Sequence, residues 1–320
     1  MKGKYEILVK DAHLQYKFML QRNITILQGD SATGKTTLIN MIADRQRMGE
    51  DSGVELRSSK PCYVVDEGNW RLLLPHIHDS FVFIDEAKFV REVEFARMVK
   101  GSSNYFVIAT RVPLSNLPYS VQEIYGIKNK AGNKYQSTKR LYAEFYPLVK
   151  PKESEALPDL AVVEDSHAGY EFFQHYFSRR GIRCISAEGK DNIYRRLVEE
   201  EYGCALVIAD GAAFGPEVER VLSLQRARQL ILYMPESFEY LLLEAGIVRD
   251  GEIAAILEDP SAYIESAVYF SWEQFFTELL TDKTKITYLN YTKSRLNPVY
   301  LRENIQAEII DLLPDSFKRQ

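Results

Sequence analysis

Residues 29–36 read GDSATGKT, two glycines five positions apart followed at once by a lysine and a threonine. Glycine at 29 and 34 lets the backbone turn tightly and come close to a bound group, where a Cβ would intrude. The N–H groups of Asp30, Ser31, Ala32 and Thr33 can then converge on one spot, joined by those at the start of the next helix. Lys35 adds a mobile ammonium, Thr36 a hydroxyl suited to Mg²⁺, and Thr37 stands beside it. The chemistry this spacing predicts is capture of a nucleoside triphosphate.

Acids supply the rest of the candidate chemistry. Asp85 and Glu86 close an apolar run, FVFIDE. Mg²⁺ needs hard oxygen ligands, and hydrolysis needs a carboxylate within reach of water. Farther on, Glu164 and Asp210 also follow apolar runs, as do Glu236 and Glu239 after the run 230–234. Converging carboxylates could hold a divalent metal for phosphodiester chemistry, whereas acids at strand ends also cap the helices that follow. His76, His78 and Asp79 lack a fourth partner at helical spacing and read as surface.

The elements that must position these residues follow from periodicity. Ile24, Ile26 and Leu27 form a strand before the glycine loop, and Leu38, Ile39, Met41 and Ile42 mark an amphipathic helix after it. Residues 4–11 and 14–20 alternate like paired strands, and short strands are expected near 54–58 and 62–66. Residues 81–86 and 105–109 are near-continuous apolar strands separated by a helix pattern at Val90, Val93, Phe95 and Met98. Buried strands alternating with helices predict a mostly parallel sheet, whose ligands sit beyond the strands' carboxyl ends. The loop at Gly29, the acids at Asp85 and Glu86, and Thr110-Arg111 all fall on that edge. Arg111 reads equally as a γ-phosphate contact or as half of a surface salt bridge.

A second alternation runs from Leu160, with strands at 160–163, 182–185, 205–209 and 230–234, each followed by a helix. Between the halves, KPKESEALPD places two prolines in a polar stretch near residue 150. Residues 1–150 hold 22 basic and 16 acidic side chains (+6), and residues 151–320 hold 18 and 29 (−11), which sum to the net −5. We therefore expect two domains, 1–150 and 156–320, the second ending in a helical extension. Residues 263–280 read as an apolar helical region suited to core packing or a contact between copies, and 303–313 as a closing helix. The stretch 121–146 reads as a hairpin around Ala131-Gly132-Asn133, carrying Lys128, Lys130, Lys134, Lys139 and Arg140 among Tyr125, Tyr135 and Tyr142. It serves as a solvated ribbon or as a surface for nucleic acid or an acidic partner.

No run approaches the roughly 18 apolar residues a membrane span needs, so no membrane partner is expected. The N-terminal segment lacks the apolar core of a secretion signal, and Cys62, Cys184 and Cys204 are dispersed. A reducing, cytoplasmic setting fits both.

The first half resembles a P-loop ATPase of the branch with an added catalytic glutamate, which contains AAA+ and ABC-type ATPases. By that resemblance Gly29, Gly34, Lys35 and Thr36 match the Walker A motif, and FVFIDE matches Walker B. Asp85 would hold Mg²⁺ through water, Glu86 would polarise the attacking water, and Thr110 matches a polar sensor on the neighbouring strand. No LSGGQ-like signature is present, and no arginine-rich lid of the nucleotide-kinase kind.

Residues 158–245 resemble a Toprim domain, the Mg²⁺-binding module of topoisomerases, primases and OLD-type nucleases. There Glu164 matches the general acid/base glutamate and Asp210 the first aspartate of D-x-D. Ala212 stands where the second aspartate belongs, and Asp165 replaces the usual glycine after Glu164. The two resemblances together imply an ATPase that uses ATP and Mg²⁺ and whose nucleotide state controls the second half. That half either cuts nucleic acid, as in ATPase–nuclease pairings of bacterial self-defence, or is a non-cutting switch or assembly part. Nucleic acid and a second copy of the chain stand as candidate partners.

Overall fold

The computed structural model describes residues 1–29, 34–130, 141–150, 156–314 and 317. The chain divides into two compact units, 1–149 with 259–270, and 150–258 with 271–320. Residues 259–270, which the sequence analysis leaves in the second domain, thus return to the first. Both units are α/β, one on a large mostly parallel sheet and the other on a four-stranded parallel sheet.

In the first unit, β1 (Tyr5–Lys10) and β2 (Leu14–Leu20) form the expected antiparallel pair, with Tyr5 opposite Leu20. Asp11 fixes the turn by accepting the N–H groups of His13 and Leu14, both at 2.7 Å. Next come β3 (Ile24–Leu27), α1 (Lys35–Met48), β4 (Glu55–Arg57), β5 (Cys62–Val64) and α2 (Trp70–Leu73). The unit continues with β6 (Phe81–Asp85), α3 (Val93–Val99), β7 (Tyr105–Ala109), β8 (Ile124–Lys130) and β9 (Leu141–Pro147). The sheet order is β4-β1-β2-β9-β8-β3-β7-β6-β5. Strands β8, β3, β7, β6 and β5 run parallel, while β8 and β9 pair antiparallel. The turn at Ala131-Gly132-Asn133 lies outside the described residues, as do Lys134, Tyr135, Lys139 and Arg140.

Side-chain alternation covers both faces of this sheet. Phe81, Phe83, Tyr105, Val107 and Ala109 pack with Leu38, Ile39, Met41 and Ile42 of α1. On the other face Phe106 meets Phe95 of α3 edge to face, and Trp70 stacks on Phe89 at 4.8 Å. A sheet buried on both sides needs the unbroken apolar runs seen in β6 and β7. The returning segment 259–270 is tied to this unit by Gly3 N–H to the Ser261 carbonyl (2.7 Å) and Asn23 Nδ2 to the Phe270 carbonyl (2.9 Å).

The second unit contains β10 (Leu160–Val163), α4 (Ala168–Ser178), β11 (Arg183–Ser186), α5 (Lys190–Glu199) and β12 (Cys204–Ile208). It continues with α6 (Gly215–Leu224), β13 (Gln229–Tyr233), α7 (Phe238–Glu244), α8 (Gly251–Glu258), α9 (Trp272–Thr284) and α10 (Glu303–Ile310). The order β11-β10-β12-β13 is parallel throughout. One apolar face of α4, with Phe172, Phe173, Tyr176 and Phe177, is buried. The helix expected from residue 263 begins only at Trp272, since the residues before it have joined the first unit. Among the described residues no helix is long and apolar enough to cross a membrane.

Candidate functional site

Three parallel strands bring the first candidate site into one row. Leu27 of β3 is in register with Ala109 of β7, and Ala109 with Asp85 of β6. The ladder runs one step further: the Thr110 N–H donates to the Leu27 carbonyl at 3.1 Å and the Glu86 N–H to the Ala109 carbonyl at 2.9 Å. The chain at Gly29, Thr110 and the Asp85-Glu86 pair therefore leave the sheet at the same edge.

Gly29 (φ 118°) and Gly34 (φ 95°) both adopt backbone angles that side chains resist. Asp30, Ser31, Ala32 and Thr33, between them, lie outside the described residues. Lys35, the first residue of α1, is only 5 % exposed, and its Nζ donates to the Gly29 carbonyl at 2.7 Å. Its ammonium thus reaches back to the residue that opens the loop. The first turn of α1 contains no acid and Gly34 offers no side-chain cap. Thr36 and Thr37 are exposed on that turn.

Asp85 Oδ1 is buried and has no hydrogen-bond partner among the described residues. A carboxylate oxygen left this way costs free energy unless something fills the vacancy in its coordination, and a hard cation suits it. Glu86 stands at φ 41° and accepts a 2.7 Å hydrogen bond from Arg111 Nε. Arg111 thereby forms a salt bridge with the acid one position beyond Asp85. The Thr110 hydroxyl closes on its own turn, donating to the Val112 carbonyl at 2.9 Å and accepting the Val112 N–H at 3.2 Å. A sensor role would require it to rotate out.

Tyr16 is a site residue that the sequence analysis missed. Its hydroxyl donates to the Gly34 carbonyl at 2.8 Å, bracing the loop's exit from β2. Burial, its largest influence, pushes the phenol up to about 12. The available signal was the alternation of 14–20, which places Tyr16 on the core face, where a phenol must find a partner.

In the second unit β10 and β12 bring Glu164 and Asp210 together. Glu164 Oε2 accepts the Asp210 N–H at 2.9 Å, and Asp210 Oδ1 accepts the Phe238 N–H at 3.1 Å. Burial pushes Glu164 up to about 7, with the charge of Glu273 adding to it. Asp210 is raised well above its usual range by burial, then by Glu273, Glu164 and Glu239. Ala212 is buried and its methyl supplies no oxygen. Glu236 is also buried. Asp165 is structural: its carboxylate accepts the N–H groups of Ser166, His167 and Gly169 ahead of α4.

Glu239 Oε1 accepts the Tyr291 hydroxyl at 2.8 Å, while Oε2 is buried without a partner among the described residues. Lys293 Nζ lies 2.5 Å from Glu273 Oε1 and 4.0 Å from Glu239 Oε1. Neither Glu273 nor Lys293 was singled out by sequence, since one opens an apolar helix and the other sits in a generally basic stretch. Among the described residues no three His, Cys, Asp or Glu side chains are grouped to hold a metal ion. His76, His78 and Asp79 are exposed. On the β8–β9 ribbon, Lys128 is paired with Glu144 at 3.4 Å. No protein-family model and no curated protein matches this chain.

Proposed function

We propose that the first unit binds ATP with Mg²⁺ at the row formed by Gly29, Thr110 and Asp85, and hydrolyses it. The observation that carries this reading is Asp85 Oδ1, buried and without a partner among the described residues, two strands from a glycine-bounded loop whose lysine reaches back to the Gly29 carbonyl. The loop amides and Lys35 would receive the β- and γ-phosphates, Lys35 exchanging the Gly29 carbonyl for phosphate oxygen. Thr36 and Asp85 would hold Mg²⁺, which draws charge from the phosphate oxygens. Glu86, once released from Arg111, would orient the attacking water and take its proton. The likeness to P-loop ATPases of the added-glutamate branch supports the same assignment.

Calorimetry with Mg–ATP tests it. Wild type should bind, Lys35→Ala should lose binding, and Glu86→Gln should bind but not turn over. Equal affinity in wild type and Lys35→Ala would remove the proposal.

For the second unit, with its Toprim-like order of strands and acids, we favour a nucleotide-governed switch or assembly part over a nuclease. The buried methyl of Ala212 favours that choice, because the metal-dependent reading needs an oxygen there. Incubation with DNA and RNA, ATP, and Mg²⁺ or Mn²⁺ should give no cleavage. Cleavage lost in Glu164→Ala would establish the nuclease instead.

A further inference from the structure

The acids of the second unit outnumber what a fold can bury without a counter-charge. Glu239 has a side chain 2 % exposed, and one of its two oxygens has no partner among the described residues. Glu273 projects from α9, in the C-terminal extension, and its charge raises both Glu164 and Asp210. Burying like charges this close is costly unless a cation or protons offset them.

The cation present belongs to the chain. Lys293 contacts Glu273 at 2.5 Å, faces Glu239 at 4.0 Å, and its charge lowers both Asp210 and Glu164 against the other influences. Its backbone is fixed around this position. The Lys293 carbonyl accepts the Ala168 N–H at 3.3 Å, the Leu296 N–H donates to Glu171 at 2.9 Å, and the buried Tyr291 hydroxyl binds Glu239 itself. An ammonium tethered in this way competes with any free ion at a high effective concentration.

We propose that Lys293 is the resident cation of the carboxylate pair Glu239 and Glu273, and that it keeps divalent metal ions away from their oxygens. The second unit therefore departs from the Mg²⁺ centre that its resemblance implies. The missing oxygen at Ala212 and the extra positive charge at Lys293 are two sides of one exchange. Removing the lysine leaves acids whose unpaired oxygen can take a divalent ion instead.

The test reads Mn²⁺ uptake by electron paramagnetic resonance on the full chain, without nucleotide, in a D85N background that silences the first unit. This keeps the outcome separate from the ATP-binding proposal. D85N alone should show no site tighter than the millimolar range. D85N/K293M should gain one Mn²⁺ site at least about tenfold tighter, equivalent to about 1.4 kcal/mol, and a melting temperature that rises with Mn²⁺. Adding E239Q should abolish the gain, and D85N/K293R, which keeps the charge, should behave like D85N. Should K293M not fold, D85N/K293Q carries the same expectation with a hydrogen bond to Glu273 retained. Mn²⁺ binding by D85N as tight as by the lysine variants, or no gain in a folded lysine variant, would overturn the proposal.

Discussion

Arg111 Nε donates to Glu86 Oε1 across 2.7 Å, and the acceptor residue stands at φ 41°. Both side chains are substantially exposed, at 59 % for Arg111 and 38 % for Glu86. Pairs of this kind are worth about 0–1 kcal/mol, so the arginine restrains the acid weakly. Arg111→Ala should leave Mg–ATP affinity within about twofold and raise basal turnover by no more than about fivefold, the rate equivalent of that energy. Glu86→Gln should lower turnover by about 10²–10⁴, the usual reach of a general base. Steady-state phosphate release on the two variants checks both.

Gly34 and Tyr16 form a second pair whose coupling can be measured. A Cβ at Gly34 would sit 2.8 Å from the Tyr16 hydroxyl, and the backbone there has φ 95°. Gly34→Ala should abolish nucleotide binding and lower stability by about 1–3 kcal/mol, the range for a strained backbone position. Tyr16→Phe alone should cost about 1 kcal/mol, one net hydrogen bond. The double variant should recover only the part due to the steric clash, since φ is unchanged. Denaturant melts with calorimetry separate the two contributions.

Glu164 makes the second unit sensitive to pH. Its folded value of about 7 lies above its ordinary 4.5. Below pH 4.5 the group is neutral in both states and carries no penalty. As pH rises through 7, the unfolded chain gains from an ionisation that the fold resists. Stability should therefore fall across that window, by up to about 3 kcal/mol. Glu164→Gln can still accept the Asp210 N–H, so it should flatten the decline. Thermal melts at pH 5 and pH 8 provide the comparison.

Gly211 has no room for a methyl group: a Cβ would lie 2.6 Å from the Met234 carbonyl oxygen and 2.9 Å from that of Pro235. Those are backbone atoms, held by the 2.6 Å bond from Gly211 N–H to the Pro235 carbonyl. Gly211→Ala should destabilise by about 1–3 kcal/mol, as overpacking does. Mg–ATP affinity, which the proposed function places in the first unit, should be unchanged. Melting curves and nucleotide titrations on the same sample would show this.

The apolar runs at 81–84 and 105–109 made β6 and β7 legible, because only a strand covered on both faces tolerates such sequences. The hydrophobic spacing of α1 and the four strand–helix repeats of the second unit were legible for the same reason. Period alone does not encode destination, and so the return of residues 259–270 to the first unit was not visible. Their ties, among them the Gly3 N–H to the Ser261 carbonyl, the Asn23 amide to the Phe270 carbonyl and the Lys4–Asp259 ion pair, join residues more than 200 positions apart and leave no local pattern. In the site, Gly29, Lys35, Asp85 and Glu86 stood out through fixed short spacings. Glu273 and Lys293 act across long separations, and nothing in their immediate neighbours marks them, whereas Tyr16 was marked only by the alternation of 14–20, which gives its face and not its partner.

Because residues 259–270 belong to the first unit, the chain passes between the two units three times, near 150, 259 and 271. A protease cut in the 151–155 stretch would not release two self-sufficient halves. The piece 1–150 would lack the strip that meets Gly3 and Asn23, and the remainder would carry that strip with nothing to bind it. Excision of either unit requires stitching its separated pieces together.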